Sequence, residues 1–219
     1  MLVKDVIFDL GNVLVPFDWR IAVIRLLRYL PRDLADKSEN DPKSFALVVS
    51  DLIEALEIGS IRFDEFHREV VSRTGLSADL VEFRRIWCDI FRLDHQMVNL
   101  GHELARRYGV WLASNTDETH YEYITGKFPE LLFYEKAALS YKMGTRKPQP
   151  QYFIKALELF RINAENAIFI DDIMENIQAA GKLGIVGIQF TTFQSLSERL
   201  REYGVVIGKL PRGQGIEHR

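Results

Sequence analysis

The chain has 219 residues, which at about 150 residues per domain corresponds to roughly one and a half domains. Its 28 basic and 31 acidic side chains give a net charge of −3, which argues against nucleic acid or an anionic membrane surface as the main partner. Apolar residues make up 47 % of the chain, so the composition predicts a packed globular protein and excludes a disordered one.

The cysteine count and the N-terminal residues predict a cytoplasmic protein. Cys88 is the single cysteine, so no intramolecular disulfide can form, as is typical of a reducing compartment. Lys4, Asp5 and Asp9 interrupt the apolar stretch that a signal peptide needs. No run approaches the ~18 uncharged apolar residues of a membrane span, so we expect no membrane partner. The polar segment 209–219 is typical of a flexible tail.

Five short apolar runs predict the strands of a parallel sheet. They are rich in β-branched and aromatic residues, as expected of strands that are buried on both faces. The runs are residues 6–8, 110–113, 137–139, 167–170 and 185–188. From about residue 95 onward the strands alternate with helical patterns at 97–104, from Pro148 or Pro150 to 160, and at 173–182. This alternation predicts right-handed β-α-β crossovers and an α/β fold with helices on both faces of the sheet.

The segment 16–94 has apolar residues at helical spacing and no strand pattern. It therefore predicts four helices that are inserted into an α/β core made of residues 1–15 and 95–208. We expect Gly59 and Gly75 to end two of the helices and Ser77 to cap the last one. The four apolar stripes are Ile21, Ile24 and Leu27; Leu47, Leu52 and Leu56; Phe66 and Val70; and Leu80, Phe83, Trp87 and Phe91.

Polar residues are expected to meet at one edge of this sheet, since ligands bind at the carboxyl ends of parallel strands. A carboxylate there can attack phosphorus and form an aspartyl phosphate. Crowded carboxylates also invite Mg²⁺, which stabilises the charge on the transferring group, while a lysine and a hydroxyl hold the phosphoryl oxygens. The set therefore indicates phosphoryl transfer. Its members are Asp9, the Ser114-Asn115-Thr116 segment, Lys147, and the Asp171-Asp172 pair.

In their order along the chain, these residues resemble the four motifs of the haloacid dehalogenase-like hydrolases, and the resemblance covers nearly the whole chain. Residues 8–13 (FDLGNV) are similar to the first motif and residues 112–116 (LASNT) to the second. Residues 140–148 are similar to the lysine motif, and residues 169–172 (FIDD) to the acidic fourth motif. The resemblance implies a Rossmann-like core with an inserted helical cap over residues 16–94.

The resemblance also implies a role for each site residue. Asp9 would be the nucleophile, and Lys147 would neutralise negative charge. Ser114 and Asn115 would bind the phosphate of a small phosphorylated substrate.

A Mg²⁺ ion is implied as the cofactor. Its ligands would be Asp9, the backbone carbonyl of Gly11, and Asp172, with Asp171 in the inner shell or beside it. Asn176 would support this metal site from one helical turn further on.

One position departs from the family pattern. In most phosphatases of this family the residue two places after the nucleophile is a second Asp that acts as a general acid, and here it is Gly11. General acid catalysis is typically worth 10²–10⁴-fold, so a good leaving group is favoured. The Asp-Leu-Gly-Asn-Val form is similar to sugar-1-phosphate phosphatases, whose leaving group is an anomeric oxygen. Asp18 is a candidate donor, but its position favours capping of the first helix of the insertion.

Two other functions stay open from the sequence. One is a catalytically weak regulatory or binding protein on the same scaffold. The other is a metal-independent 2-haloacid dehalogenase, since halide leaves without a proton, although the Asp171-Asp172 pair favours a metal and phosphate. We expect the five histidines to lie at the surface or in interfaces, and the three tryptophans to lie in the core. The histidines are His67, His95, His102, His120 and His218, and the tryptophans are Trp19, Trp87 and Trp111.

Overall fold

Five parallel strands form a single sheet in the order β3-β2-β1-β4-β5, with β1 at its centre. The computed structural model describes residues 2–208, and the predicted tail at 209–219 lies outside the described residues. The strand order and the parallel pairing confirm the predicted α/β fold. The strands are β1 (Asp5–Phe8), β2 (Gly109–Ser114), β3 (Lys136–Leu139), β4 (Ala167–Asp171) and β5 (Val186–Gln189).

Both faces of the sheet are buried, as the short apolar runs predict. Alternate side chains of a strand point to opposite faces. In β1, Val6 and Phe8 pack into the larger apolar core, while Ile7 packs with Trp111 and Phe169 into a second core on the other face. Each strand therefore contributes to two apolar layers, and the helices cover both.

Eleven α-helices lie among the described residues, and α1–α5 follow β1 without an intervening strand. We call α1–α5 and their loops the helical insertion. No helix in residues 2–208 is long and apolar enough to cross a bilayer. The helices are α1 (Trp19–Leu26), α2 (Arg32–Asn40), α3 (Lys43–Glu57), α4 (Phe63–Thr74), α5 (Leu80–Cys88), α6 (His95–Leu104), α7 (Glu118–Lys127), α8 (Ser140–Met143), α9 (Pro150–Phe160), α10 (Met174–Gly181) and α11 (Phe193–Glu202).

Within the insertion, three details of the sequence prediction are wrong. Five helices are present where four were expected, because α2 is too polar to show an apolar stripe. Ile24 and Leu47 lie on predicted apolar stripes, but they are 58 % and 73 % exposed. The last helix is capped by Asp79, which accepts a hydrogen bond from the backbone N–H of Glu82 at 2.8 Å. Ser77 instead donates its hydroxyl hydrogen to the carbonyl of Tyr29 at 3.0 Å.

The two chain segments that connect the insertion to the sheet lie side by side. Phe17 and Phe91 form an antiparallel bridge, and the N–H of Arg92 donates to the carbonyl of Pro16 at 2.9 Å. The division of the chain into a core of residues 1–15 and 95–208 and a cap of residues 16–94 stays a prediction.

A second contact between the insertion and the rest of the chain requires glycine. Gly59 follows α3 with φ of 71°, in the left-handed region that favours glycine. A Cβ atom at this position would lie 2.3 Å from the carbonyl oxygen of Tyr141 in α8. The end of α3 can therefore approach α8 closely only because residue 59 has no side chain.

Candidate active site

A buried lysine joins two carboxylates at the carboxyl edge of the sheet. The Nζ atom of Lys147 donates to Asp9 Oδ1 and to Asp171 Oδ2, at 2.7 Å each, and to the carbonyl of Ala113 at 2.9 Å. Its side chain is only 1 % exposed. Asp9 follows β1 and Asp171 ends β4, and these strands are neighbours in which Phe8 pairs with Ile170. The parallel register thus brings together the carboxylates that the sequence predicts.

The backbone of Lys147 is held by Asn115, which follows β2. The Asn115 side chain accepts a hydrogen bond from the N–H of Lys147 and donates one to its carbonyl, both at 2.9 Å. Both polar ends of the carboxamide are therefore used to position the lysine. A direct contact between Asn115 and substrate stays a prediction.

The second motif is also bound to the segment that leads to Lys147. The Ser140 hydroxyl accepts a hydrogen bond from the N–H of Thr116 and donates one to the Thr116 carbonyl, both at 2.9 Å. Ser114, the predicted phosphate ligand, is buried at the end of β2, and its hydroxyl lies 3.4 Å from the Asn115 carbonyl. Sequence reasoning did not identify Ser140 as a site residue, although it begins the lysine motif.

Three carboxylates form a group that could hold a metal ion. Asp9, Asp171 and Asp172 each offer an oxygen, and these oxygens lie within 4.8 Å of one another. A set of hard carboxylate oxygens fits Mg²⁺ in its chemistry. Asn12 donates to Asp172 Oδ2 at 3.3 Å and has φ of 55°, so the loop after β1 reaches the fourth motif. Asn12 belongs to the first motif, but no sequence pattern indicates this contact with Asp172. The predicted use of the Gly11 carbonyl as a ligand stays a prediction.

Asp171 is the most strongly held of the three carboxylates. Asn176 donates to both of its oxygens, at 3.0 and 3.1 Å, and the N–H of Ile173 donates to Oδ1 at 2.8 Å. Together with Lys147, these contacts fix the carboxylate in one orientation. Asn176 therefore lies where the resemblance expects it, beside the acidic pair.

Burial and the proximity of other charges shift the pKa values of Asp9, Asp172 and Lys147. Burial raises the pKa of Asp9 from 3.8 to about 7, since Asp171 adds to the burial effect and Lys147 only partly opposes it. Burial and the Asp171 charge also raise the pKa of Asp172. Burial alone would lower the pKa of Lys147, but Asp9 and Asp171 raise it above its usual value. One lysine faces three carboxylates, so a divalent cation would offset the excess negative charge.

A cavity of about 340 Å³ lies between the helical insertion and the site. Gly11, Ser114 and Thr116 line it on the side of the sheet. Apolar residues of α1 and α3 line it on the side of the insertion. The cavity therefore opens next to the first and second motifs.

His120 corrects the expectation that the histidines lie at the surface or in interfaces. Its side chain is 14 % exposed and lines the cavity, with Nδ1 at 2.9 Å from Asp117 Oδ2 and Nε2 at 3.0 Å from the Trp87 carbonyl. Burial opposes the charged ring, but the Asp117 carboxylate raises the pKa of His120 above its usual value. The Trp87 carbonyl lies 33 residues before His120 in the chain. Asp117 lies only three residues before it, but this spacing alone does not indicate an ion pair. Only the fold therefore identifies the two partners.

Two further expectations concern the start of the insertion. Trp19 was expected in the core, but it is 37 % exposed and lines the cavity. Asp18 caps α1, as its position predicts, because its side chain accepts a hydrogen bond from the N–H of Arg20 at 3.0 Å. Asp18 also forms an ion pair with the Arg20 side chain at 2.8 Å.

The family of this protein is shown by a family model that matches most of the sheet and all four motifs. A model of the haloacid dehalogenase-like hydrolases matches residues 3–184. The chain belongs to this family. The placement of the motifs around one sheet edge agrees with the resemblance seen in the sequence.

Other haloacid dehalogenase-like proteins are similar over nearly their whole length. A D-ribitol-5-phosphate phosphatase from Bacteroides thetaiotaomicron is 26 % identical over 88 % of this chain and 92 % of its own. A sesquiterpene phosphatase from Aspergillus oryzae is 26 % identical over 91 % of this chain and 95 % of its own. The fold is similar to that of a haloacid dehalogenase family enzyme from B. thetaiotaomicron, solved with magnesium and inorganic phosphate. The TM-score is 0.77 at 23 % identity, over 91 % of this chain and 100 % of that one.

Proposed function

We propose that this protein hydrolyses a small phosphomonoester with the help of Mg²⁺, through an aspartyl phosphate on Asp9. The observation that carries the proposal is the position of Asp9 at the end of the central strand, beside Lys147 and the Asp171-Asp172 pair. A nucleophile, a buried cation and a metal-binding acidic pair are the groups that phosphoryl transfer requires.

The reaction has two steps. A carboxylate oxygen of Asp9 attacks phosphorus, and the bond from phosphorus to the substrate alcohol breaks with its electron pair on the alcohol oxygen, which takes a proton from water. Water then attacks the phosphorus of the aspartyl phosphate, and the bond from phosphorus to Asp9 breaks with its electron pair on the carboxylate oxygen. A proton of the attacking water passes to the hydroxide formed in the first step, so inorganic phosphate is released and the Asp9 carboxylate is restored. Gly11 offers no side chain as a proton donor, so among leaving alcohols of similar size and polarity we expect turnover to rise as the alcohol becomes more acidic.

The remaining groups bind and orient the phosphate. Lys147 offsets its negative charge, and the Ser114 hydroxyl binds a phosphoryl oxygen. Asn115 keeps Lys147 in place and adds its backbone N–H to the phosphate site. Bound Mg²⁺ would be held by Asp9, Asp172 and the loop carbonyl of residue 11, with Asp171 beside them, and it supplies charge stabilisation at the transferring group.

The relatives support this reaction class. Two similar proteins are named as phosphatases, one for a polyol phosphate and one for a sesquiterpene substrate. A structural neighbour was solved with magnesium and inorganic phosphate. We infer that residues 16–94 act as the cap that selects the substrate. The single cysteine, buried and without a disulfide, supports a cytoplasmic location.

Hydrolysis of 4-nitrophenyl phosphate tests the proposal. We expect release of 4-nitrophenol with Mg²⁺, its loss in EDTA, and its loss in the Asp9→Asn variant. Asp36→Asn is a suitable control, because Asp36 is an exposed carboxylate of α2. If the wild-type protein hydrolyses neither this ester nor any of a panel of phosphomonoesters, the proposed phosphatase function is wrong. The regulatory or binding role would then describe the protein better.

The dehalogenase alternative is tested in the same preparation. Release of halide from a 2-haloacid in the presence of EDTA would contradict the proposal. The acidic group of Asp9, Asp171 and Asp172 argues against that outcome, because a metal-independent reaction has no need of three crowded carboxylates.

A further inference from the structure

The lining of the cavity between the helical insertion and the sheet identifies the kind of alcohol that the site releases. We propose that the substrate is the phosphate ester of an apolar alcohol with a hydrocarbon group of about eight to ten carbon atoms. This inference rests on the proposed phosphatase function, since the cavity adjoins the loop that follows Asp9.

Most of the cavity wall is apolar. Fifteen of its twenty-one lining residues have aliphatic or aromatic side chains. Eight of them come from two helices of the insertion, namely Trp19, Ala22, Val23 and Leu26 of α1 and Phe45, Ala46, Val49 and Ile53 of α3. A wall of this kind favours a hydrocarbon group, since apolar surface gains free energy when it leaves water.

Several polar side chains of the wall already have partners in the protein, whereas the buried indole nitrogen of Trp87 has no hydrogen-bond partner among the described residues. Glu57 forms an ion pair with Arg146 at 2.9 Å. Both ring nitrogens of His120 face protein acceptors, and both ends of the Asn115 carboxamide bind the backbone of Lys147. The hydroxyls of a sugar or polyol would therefore find few free partners, and an unpaired hydroxyl is costly to bury.

The position of the missing general acid is also apolar. A Cβ atom on Gly11 would lie 2.9 Å from Cε1 of Phe17, so the Phe17 ring occupies the space that a side chain at residue 11 would need. The Phe17 ring also packs against Phe91, with ring centroids 5.6 Å apart. An aromatic surface therefore lies next to the nucleophile loop, where most phosphatases of the family carry a carboxylate.

The cavity volume sets the size of the group. The cavity volume is about 340 Å³. This volume lies at the lower end of the range for small-molecule pockets. We expect a chain of eight to ten carbons to occupy the part of the cavity between α1 and α3, with the phosphate at the end lined by Gly11 and Ser114, beside Asp9.

The first experiment measures kcat/KM for linear alkyl phosphates from ethyl to decyl in the presence of Mg²⁺. Each ester is kept below its critical micelle concentration. We expect about a fourfold rise per added methylene, the value that full burial of a CH₂ group implies, with a plateau near eight to ten carbons. Ribitol 5-phosphate is the polar comparison, and we expect its kcat/KM to be at least a hundredfold below that of decyl phosphate.

A pair of neighbouring substitutions on α3 provides the matched control. Ala46 lines the cavity, whereas Leu47 is 73 % exposed and does not. Ala46→Phe fills part of the cavity, so we expect the ratio of kcat/KM for decyl over butyl phosphate to fall at least tenfold. Leu47→Phe adds an aromatic ring on the same helix, and we expect that ratio to stay as in the wild type.

Binding to the Asp9→Asn variant separates this inference from the proposed function. Titration calorimetry should show decyl phosphate binding at least a hundredfold tighter than ribitol 5-phosphate. If decyl phosphate binds in this way but no ester is hydrolysed, the proposed function fails and the apolar preference stands. Equal binding of the two ligands, or turnover that does not depend on chain length, overturns the inference.

Discussion

The Asp9→Asn substitution should make the metal-free protein more stable, although it removes the proposed nucleophile. Asp9 is only 7 % exposed and lies near Asp171, and burial raises its pKa from 3.8 to about 7. In the folded protein its ionised form is therefore disfavoured. Asparagine has nearly the same shape but does not ionise.

The size of the effect follows from the pKa difference. Between pH 4 and pH 7 the folded state holds a proton on Asp9 that the unfolded chain has released, so the free energy of unfolding falls as pH rises through this window. A shift of about 3 pKa units, at about 1.36 kcal/mol per unit, corresponds to about 4 kcal/mol. We expect Asp9→Asn to be more stable than the wild type by about 4 kcal/mol at pH 8.5 and by less than about 1 kcal/mol at pH 4.

Urea unfolding in EDTA at several pH values measures this difference. Asp36→Asn serves as the control, and its stability should track that of the wild type. Addition of Mg²⁺ should narrow the difference at pH 8.5, since the ion binds the folded wild type and stabilises it by mass action. A variant that is less stable than the wild type at pH 8.5, or a difference that does not change with pH, would refute this account of Asp9.

Three further substitutions test separate parts of the structure. Lys147→Met leaves two buried carboxylates without their cation, and it should lower the free energy of unfolding in EDTA by about 3–5 kcal/mol, with a smaller loss in Mg²⁺. Gly59→Ala should cost about 1–3 kcal/mol by urea unfolding, and more than Gly144→Ala, because both glycines have positive φ but only residue 59 would meet a carbonyl oxygen. Equal losses would contradict the close approach. In an NMR titration the pKa of His120 should lie above 6.5 and should fall in Asp117→Asn, and a pKa that does not move would exclude the ion pair.

The sheet and its acidic edge could be predicted because local signals determine them. A short apolar run that stops at a polar residue identifies a buried strand and its carboxyl end, and parallel pairing then brings the ends together. Asp9, Ser114 and the Asp171-Asp172 pair each follow or end such a run, so their common edge can be predicted from the sequence. The positions of Asn12 and Ser140 at the same edge could not be found in this way, because each contacts a residue far along the chain.

The insertion was harder to predict because helical periodicity does not determine which face is buried. Ile24 and Leu47 lie on regular apolar stripes, yet both are largely exposed. The nine residues of α2 include few apolar side chains, so no stripe marks the helix. The buried environment of His120 depends on the Trp87 carbonyl, which lies 33 residues away. Only the packed structure shows these contacts.

The chemistry and the selectivity of this protein thus depend on different kinds of structural information. The proposed reacting groups are positioned by strand register, which pairs Phe8 with Ile170 and leaves little freedom for Asp9. One side of the cavity wall is formed by α1 and α3, and the ion pair from Glu57 to Arg146 links that wall to the residue beside Lys147. Substitutions on the cavity face of α1 and α3 should therefore change which alcohol is released, while substitutions at the sheet edge should change whether any ester is cleaved.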